Sequence, residues 1–276
     1  MSLNSYLERK KEISSQNGHV FANFKQDYRT GMFIGNYAKH DLNSIIYAYS
    51  VGFKNIYKQF LKRTVNWLSQ GIEKKEDFGE FDYHQYELTS ALAIATWLDT
   101  GVNNIELWKN SLKWQNKLYG KENYSTGMSR IEQEIFALQL LHYIQAQEYE
   151  KAIQLYQSVK GDKPLKLNNN MSGYRIAYAY CLHFHENKFT VVQLEKAAKS
   201  FLEKQLPLLY TKGRPTEMLY WLKMVCDARE KEYTPEEVIY TFYEYIPKEE
   251  YPEFVKDLLK GKPTEKKSFF SRFFRW

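Results

Sequence analysis

Four amphipathic stripes of the same shape recur along this chain at almost constant intervals. Their first apolar residues, Ile105, Tyr149, Leu194 and Val238, fall 44, 45 and 44 residues apart. Three positions on, the same register gives Trp108, Ala152, Ala197 and Thr241; seven positions on, it gives Leu112, Tyr156, Phe201 and Tyr245. Apolar residues spaced in this way line one face of a helix. Each stripe follows a more uniformly apolar segment, at 88–98, 131–144, 174–184 and 218–225. A fixed period of this length marks stacked helical hairpins, none able to bury its apolar face alone. The expected fold is therefore all-α: an α-solenoid-like stack of hairpins, about eleven helices in all.

The copy over 130–159 shows the pattern best. Ile131, Ile135, Phe136, Leu138, Leu140, Leu141, Tyr143 and Ile144 wrap a first helix nearly all the way round, so it is expected to be covered on several sides. Tyr149, Ala152, Ile153 and Tyr156 then stripe a second, outer helix. By the same reading the inner helices span 80–98, 130–145, 171–186 and 215–229. Thr190 with Gln193, and Thr234 with Glu237 after Pro235, read as capping boxes at the starts of two outer helices. The domain plan that follows has three parts. Residues 1–79 form a helical segment with a long helix at 41–70, and 80–260 hold four hairpins with a candidate lobe boundary at 161–173. Residues 261–276 form a basic, aromatic tail.

With 13 Gly and 7 Pro against 17% aromatic residues, the chain favours long helices over a many-stranded β fold. Cys181 and Cys226 fall inside apolar helical segments and read as small buried hydrophobes. The first residues have no apolar core of a secretory signal, and the apolar run 88–98 is too short to span a bilayer. A soluble, cytoplasmic protein is the expectation.

The net charge of +6 is unevenly spread. Residues 1–75 carry 12 basic and 5 acidic side chains, whereas 76–99 carry six acids and no Lys or Arg. The basic residues gather at the two ends without a nucleic-acid-binding motif, so direct nucleic-acid binding is not expected. Within 76–87, EDFGEFDYHQYE, acids alternate with aromatics. Its plain structural reading is an acidic helix start favoured by the helix dipole. Its functional reading is a surface that offers carboxylates and rings to a basic partner. Asp77, Glu80, Phe81, Asp82, Tyr83 and Glu87 are accordingly the candidate partner-binding residues. Glu80, His84 and Glu87 share a helical face, but nothing supplies the further ligands of a metal centre. No nucleotide-binding, zinc-protease or hydrolase motif is present, and neither an enzyme nor a cofactor is expected. In the tail, Phe269, Phe270, Phe273 and Phe274 face one way and the basic residues mostly the other. Such a segment suits a cap on the last hairpin, with membrane contact the less favoured alternative.

Two resemblances add to this reading. The segment AQEYEKAIQLY, at 146–156, resembles the second helix of a tetratricopeptide repeat through Tyr149, Ala152, Ile153 and Tyr156, although the period here is ten residues longer than that family's 34. The all-helical pattern, the chain length and the segment ELTSALAIATWLDTGVNNIELWKNSLKW, at 87–114, resemble the helical immunity proteins of bacterial polymorphic-toxin systems. That resemblance implies a cytoplasmic protein that binds and blocks a toxin domain, often a nuclease, without chemistry of its own. The alternative is a helical-repeat adaptor or regulator that holds a peptide or protein in its concave groove.

Overall fold

The computed structural model describes residues 82–245 except Thr126 and 212–214, and only the backbone of a few helical positions, 82–85, 87 and 88 among them. The expected helix at 41–70 and the tail at 261–276 lie outside the described residues. Within them the chain forms eight α-helices and no strand. These are α1 (Asp82–Thr100), α2 (Ile105–Tyr119), α3 (Arg130–Gln145), α4 (Tyr149–Lys160), α5 (Gly173–Glu186), α6 (Val191–Thr211), α7 (Pro215–Ala228) and α8 (Pro235–Tyr240). Single 3-10 turns follow α2 at Lys121–Asn123 and α8 at Thr241–Glu244.

Local chemistry sets most of the boundaries. Asn104 caps α2 by accepting from the Leu107 N–H. Ser129 with Glu132 closes a capping box on α3, and Thr234 with Glu237 closes another on α8. At α6 the Gln193 N–H donates to Thr190 Oγ1 at 3.3 Å, while Gln193 Oε1 accepts from the Thr190 N–H at 3.0 Å. Each cap satisfies N–H groups that a helix start would otherwise leave unbonded.

The four hairpin turns share one backbone device. Each inner helix is followed by a residue in the left-handed region: Gly101 (φ 74°), Gln147 (φ 56°), Asn187 (φ 52°) and Glu230 (φ 52°). A left-handed residue just past a helix reverses the chain and satisfies the last carbonyls. The outer stripes then fall where their spacing places them. Trp108, Ala152, Ala197 and Thr241 are all buried, as are Leu112, Tyr156 and Tyr245, with Phe201 half-buried.

Neighbouring helices pack in antiparallel pairs, but the contacts do not stop at neighbours. Helix α3 packs on α5 and α7, and α5 on α7, so these three inner helices share one centre. Stacked repeats touch only the units next to them, so an open linear array does not account for α7 lying against α3. The buried core runs as one cluster from Ala91 to Tyr245, and α3 and α4 both pack on α5 across the 161–172 connection. Tyr156 and Tyr178 stack there with ring centroids 3.6 Å apart. Gly173, at the start of α5, leaves room for Phe201 and Trp221, since a Cβ there would lie 2.9 Å from the Phe201 ring and 3.2 Å from the Trp221 ring. Helix α3 is covered on several sides, as expected, with burial continuous from Gln139 to Gln145, while its first turn is more open and Ile131 is 70% exposed.

Candidate functional site

Two seams hold the distant parts of the molecule together, and both lie toward the end built from the hairpin turns. The first is aromatic. His142 on α3 is fully buried, with its ring centroid 5.6 Å from Tyr86 of α1, 5.0 Å from Trp108 of α2 and 4.9 Å from Tyr220 of α7. Trp108 also meets Tyr220 edge-on at 5.6 Å. Its indole N–H donates to Asn103 Oδ1 at 2.9 Å, and the Asn103 amide donates to the Gln145 carbonyl at 2.8 Å, tying the first turn to the second. One turn along α7, Lys223 sits over the Trp97 ring at 5.8 Å and pairs with Asp227 at 2.8 Å.

The second seam is ionic. Arg229 Nε lies 2.6 Å from Glu195 Oε1 on α6, and its Nη2 lies 2.7 Å from Glu244 Oε2 after α8. Both carboxylates hold the guanidinium protonated against the opposing effect of burial. Between the seams, Tyr149 at the start of α4 stacks on Phe184 at 5.1 Å. Burial, and then the nearby Asp227 carboxylate, push the Tyr149 phenol up to about 12.

These contacts join the four turns into one continuous end. Its charge differs in sign from the opposite end. Counting the four turns with one helical turn on either side gives ten acidic and four basic residues. The described residues of the three connections between hairpins, counted in the same way, carry seven basic and four acidic residues. Among the described residues the turn end is therefore negative and the connector end positive. Asp99, Glu150, Glu230 and Glu232 are exposed on the former, as are Val102 and Val192 at 66% and 74%. Sequence periodicity gave no hint of this arrangement, because the acids come from four separate turns that meet only once the helices are packed.

The candidate residues read from sequence fall elsewhere. Asp77, Glu80 and Phe81 lie outside the described residues. Asp82, Tyr83 and Glu87 lie on the first turns of α1, where the backbone alone is described. One turn further on, Tyr86 is buried and its carbonyl accepts from Ser111 Oγ of α2 at 3.4 Å, which fixes where α1 begins against α2. His84 belongs to the same backbone-only turn. His183 Nδ1–H donates to the Phe189 carbonyl at 2.6 Å and His185 is exposed, so the two face different surroundings. Among the described residues no group of three or more His, Cys, Asp or Glu is placed to hold a metal. Cys181 and Cys226 are buried as expected, and burial pushes the Cys226 thiol up to about 12, which keeps it unreactive. No described helix is long and apolar enough to cross a membrane.

No protein-family model matches this chain, and no curated protein or solved structure matches it either.

Proposed function

We propose that this chain is a non-catalytic protein-binding protein, an immunity protein that binds and neutralises the domain of a bacterial toxin in the cytoplasm. A nuclease is the expected class of target, because a cleft built for nucleic acid is basic. The observation that carries this reading is the separation of charge between the two ends of a firmly packed helical body. An acidic, preorganised surface speeds encounter with a basic partner and rejects acidic ones. In this reading the hairpins are repeats of one unit, curled so tightly that the fourth inner helix returns to the second. A peptide held in a concave groove has less to support it, since α3, α5 and α7 pack on one another there.

Two acidic sets are candidates for the partner: the turn end, and the residues read from sequence, Asp77, Glu80, Phe81, Asp82, Tyr83 and Glu87. The test begins with capture of partners by the tagged full-length protein from its producing strain, identified by mass spectrometry. Each captured protein is then expressed alone and with this chain. Growth arrest relieved by co-expression is the expected result; if none of the captured proteins arrests growth, the immunity reading fails. Against a confirmed target, Asp99→Lys with Glu230→Lys is compared with Glu80→Lys with Asp82→Lys. The pair that lowers the association rate, with a weaker dependence on salt, marks the surface in use.

A further inference from the structure

The helices of each hairpin run antiparallel, so the four turns and the three connections lie at opposite ends of the helical body. The turn end exposes Asp99, Glu150, Glu230 and Glu232, and the connector end exposes Lys121, Lys163 and Lys166. The apolar side chains make a second, independent observation. Among the described residues the large hydrophobic side chains left exposed are Val102, Ile131 and Val192. Val102 belongs to the first turn and Val192 to the start of α6 after the third, while Ile131 belongs to the first turn of α3, at the connector end. Each end thus joins exposed apolar side chains to an excess of one sign of charge. The same combination is what a protein–protein contact uses, apolar contact for affinity and charge for choice of partner.

The two ends complement each other and neither complements itself. Two copies meeting turn end to turn end would set acids against acids, and two connector ends would set bases against bases. Only turn end against connector end brings opposite charges together. Eight helices, each about 10 Å across, give an end face of roughly 600 Å². One side of a standard interface needs about 800 Å², so a contact of this size suits reversible association. We propose that the turn end of one copy docks on the connector end of the next, and that the protein self-associates head to tail. A contact between two different patches leaves one of each kind open in a dimer, so the assembly grows until its geometry closes a ring.

Sedimentation velocity of the full-length protein, over a wide range of concentration in low salt, tests this. Species larger than a dimer should appear at high concentration and fall back toward monomer as salt is raised. Asp99→Lys with Glu230→Lys reverses charge at the turn end, and Lys121→Glu with Lys163→Glu does so at the connector end. Each pair should weaken self-assembly by at least about tenfold. Mixed together, the two variants should assemble again, because the reversed turn end of one meets the reversed connector end of the other, and the unaltered faces still match. All four positions are exposed, and circular dichroism checks that each variant is folded. A monomer at every concentration in low salt, growth that stops at a dimer, or a mixture that fails to recover would overturn the proposal.

Discussion

The aromatic seam around His142 and the ionic seam around Arg229 do the same job by different physics. Each fastens α7, or the residue just beyond it, to helices that are distant in the chain. The aromatic seam does so by removing large rings from water, and its energy follows buried area and ring geometry. The ionic seam relies on charge-assisted hydrogen bonds among side chains that are 21–31% exposed, where water and salt weaken the attraction. The fourth hairpin is thus held on one side chiefly by contacts that salt does not screen, and on the other by contacts that it does.

The largest expected effect belongs to the aromatic seam. Trp108→Ala removes a fully buried indole and its bond to Asn103, and should destabilise the protein by about 3–5 kcal/mol in urea unfolding. A loss below about 1 kcal/mol would mean that the seam collapses around the gap, ending the comparison as drawn. The next effect is alkaline. Burial raises the phenols of Tyr180 and Tyr245 above their ordinary value of 10.0. Their folded pKa exceeds the unfolded one, so this stability is complete below pH 10 and drains as pH rises through the folded values. While the unfolded state alone ionises, each tyrosine costs about 1.4 kcal/mol per pH unit. Urea midpoints should fall steeply above pH 10, and Tyr180→Phe should flatten that fall.

Arg229→Met comes third. It leaves Glu195 and Glu244 without their counter-charge, and partial exposure moderates the cost to about 1–3 kcal/mol. The loss should shrink in high salt, whereas the loss for Trp108→Ala should not. Equal salt dependence of the two would remove the distinction between the seams. The smallest effects sharpen the picture of the turns. Gln147 and Glu230 hold left-handed conformations that glycine adopts freely. Gln147→Gly and Glu230→Gly should each raise stability by up to about 1 kcal/mol, net of the added freedom of the unfolded chain. Asn187→Gly should gain less, since Asn tolerates this region.

Much of this fold was legible along the sequence, and the reason is local. The inner helix at 130–145 and the outer stripes at 44–45-residue spacing appear as expected. So do the caps at Thr190 and Thr234, because periodicity and capping need only neighbouring residues. The Ser129–Glu132 box is equally local and was open to the same reading. The left-handed conformations at Gln147 and Glu230 were not, since neither residue type announces them. Helix α6 also runs through Pro207, where sequence alone argues for an end. The seams were out of reach for a different reason. Nothing near Trp108 states that Tyr220 will meet it, or that Arg229 will find Glu195. The candidate binding residues were chosen from a contiguous acidic run, whereas the acidic end face is assembled from four turns.

The aromatic box around His142 has a consequence for how the protein comes into being. Synthesis proceeds from the N-terminus, so Tyr86, Trp108 and His142 are all made well before Tyr220. Long-range contacts of this kind slow folding, because a large loop is ordered before the contact repays it. The first three hairpins can pair as they leave the ribosome, yet the fourth wall of the box arrives last. Until then Trp108 and His142 present an open apolar face, the kind of transient surface that chaperones cover and that invites aggregation. A nascent chain stopped before α7 should therefore be sticky, and release of the last hairpin is the moment at which the body locks.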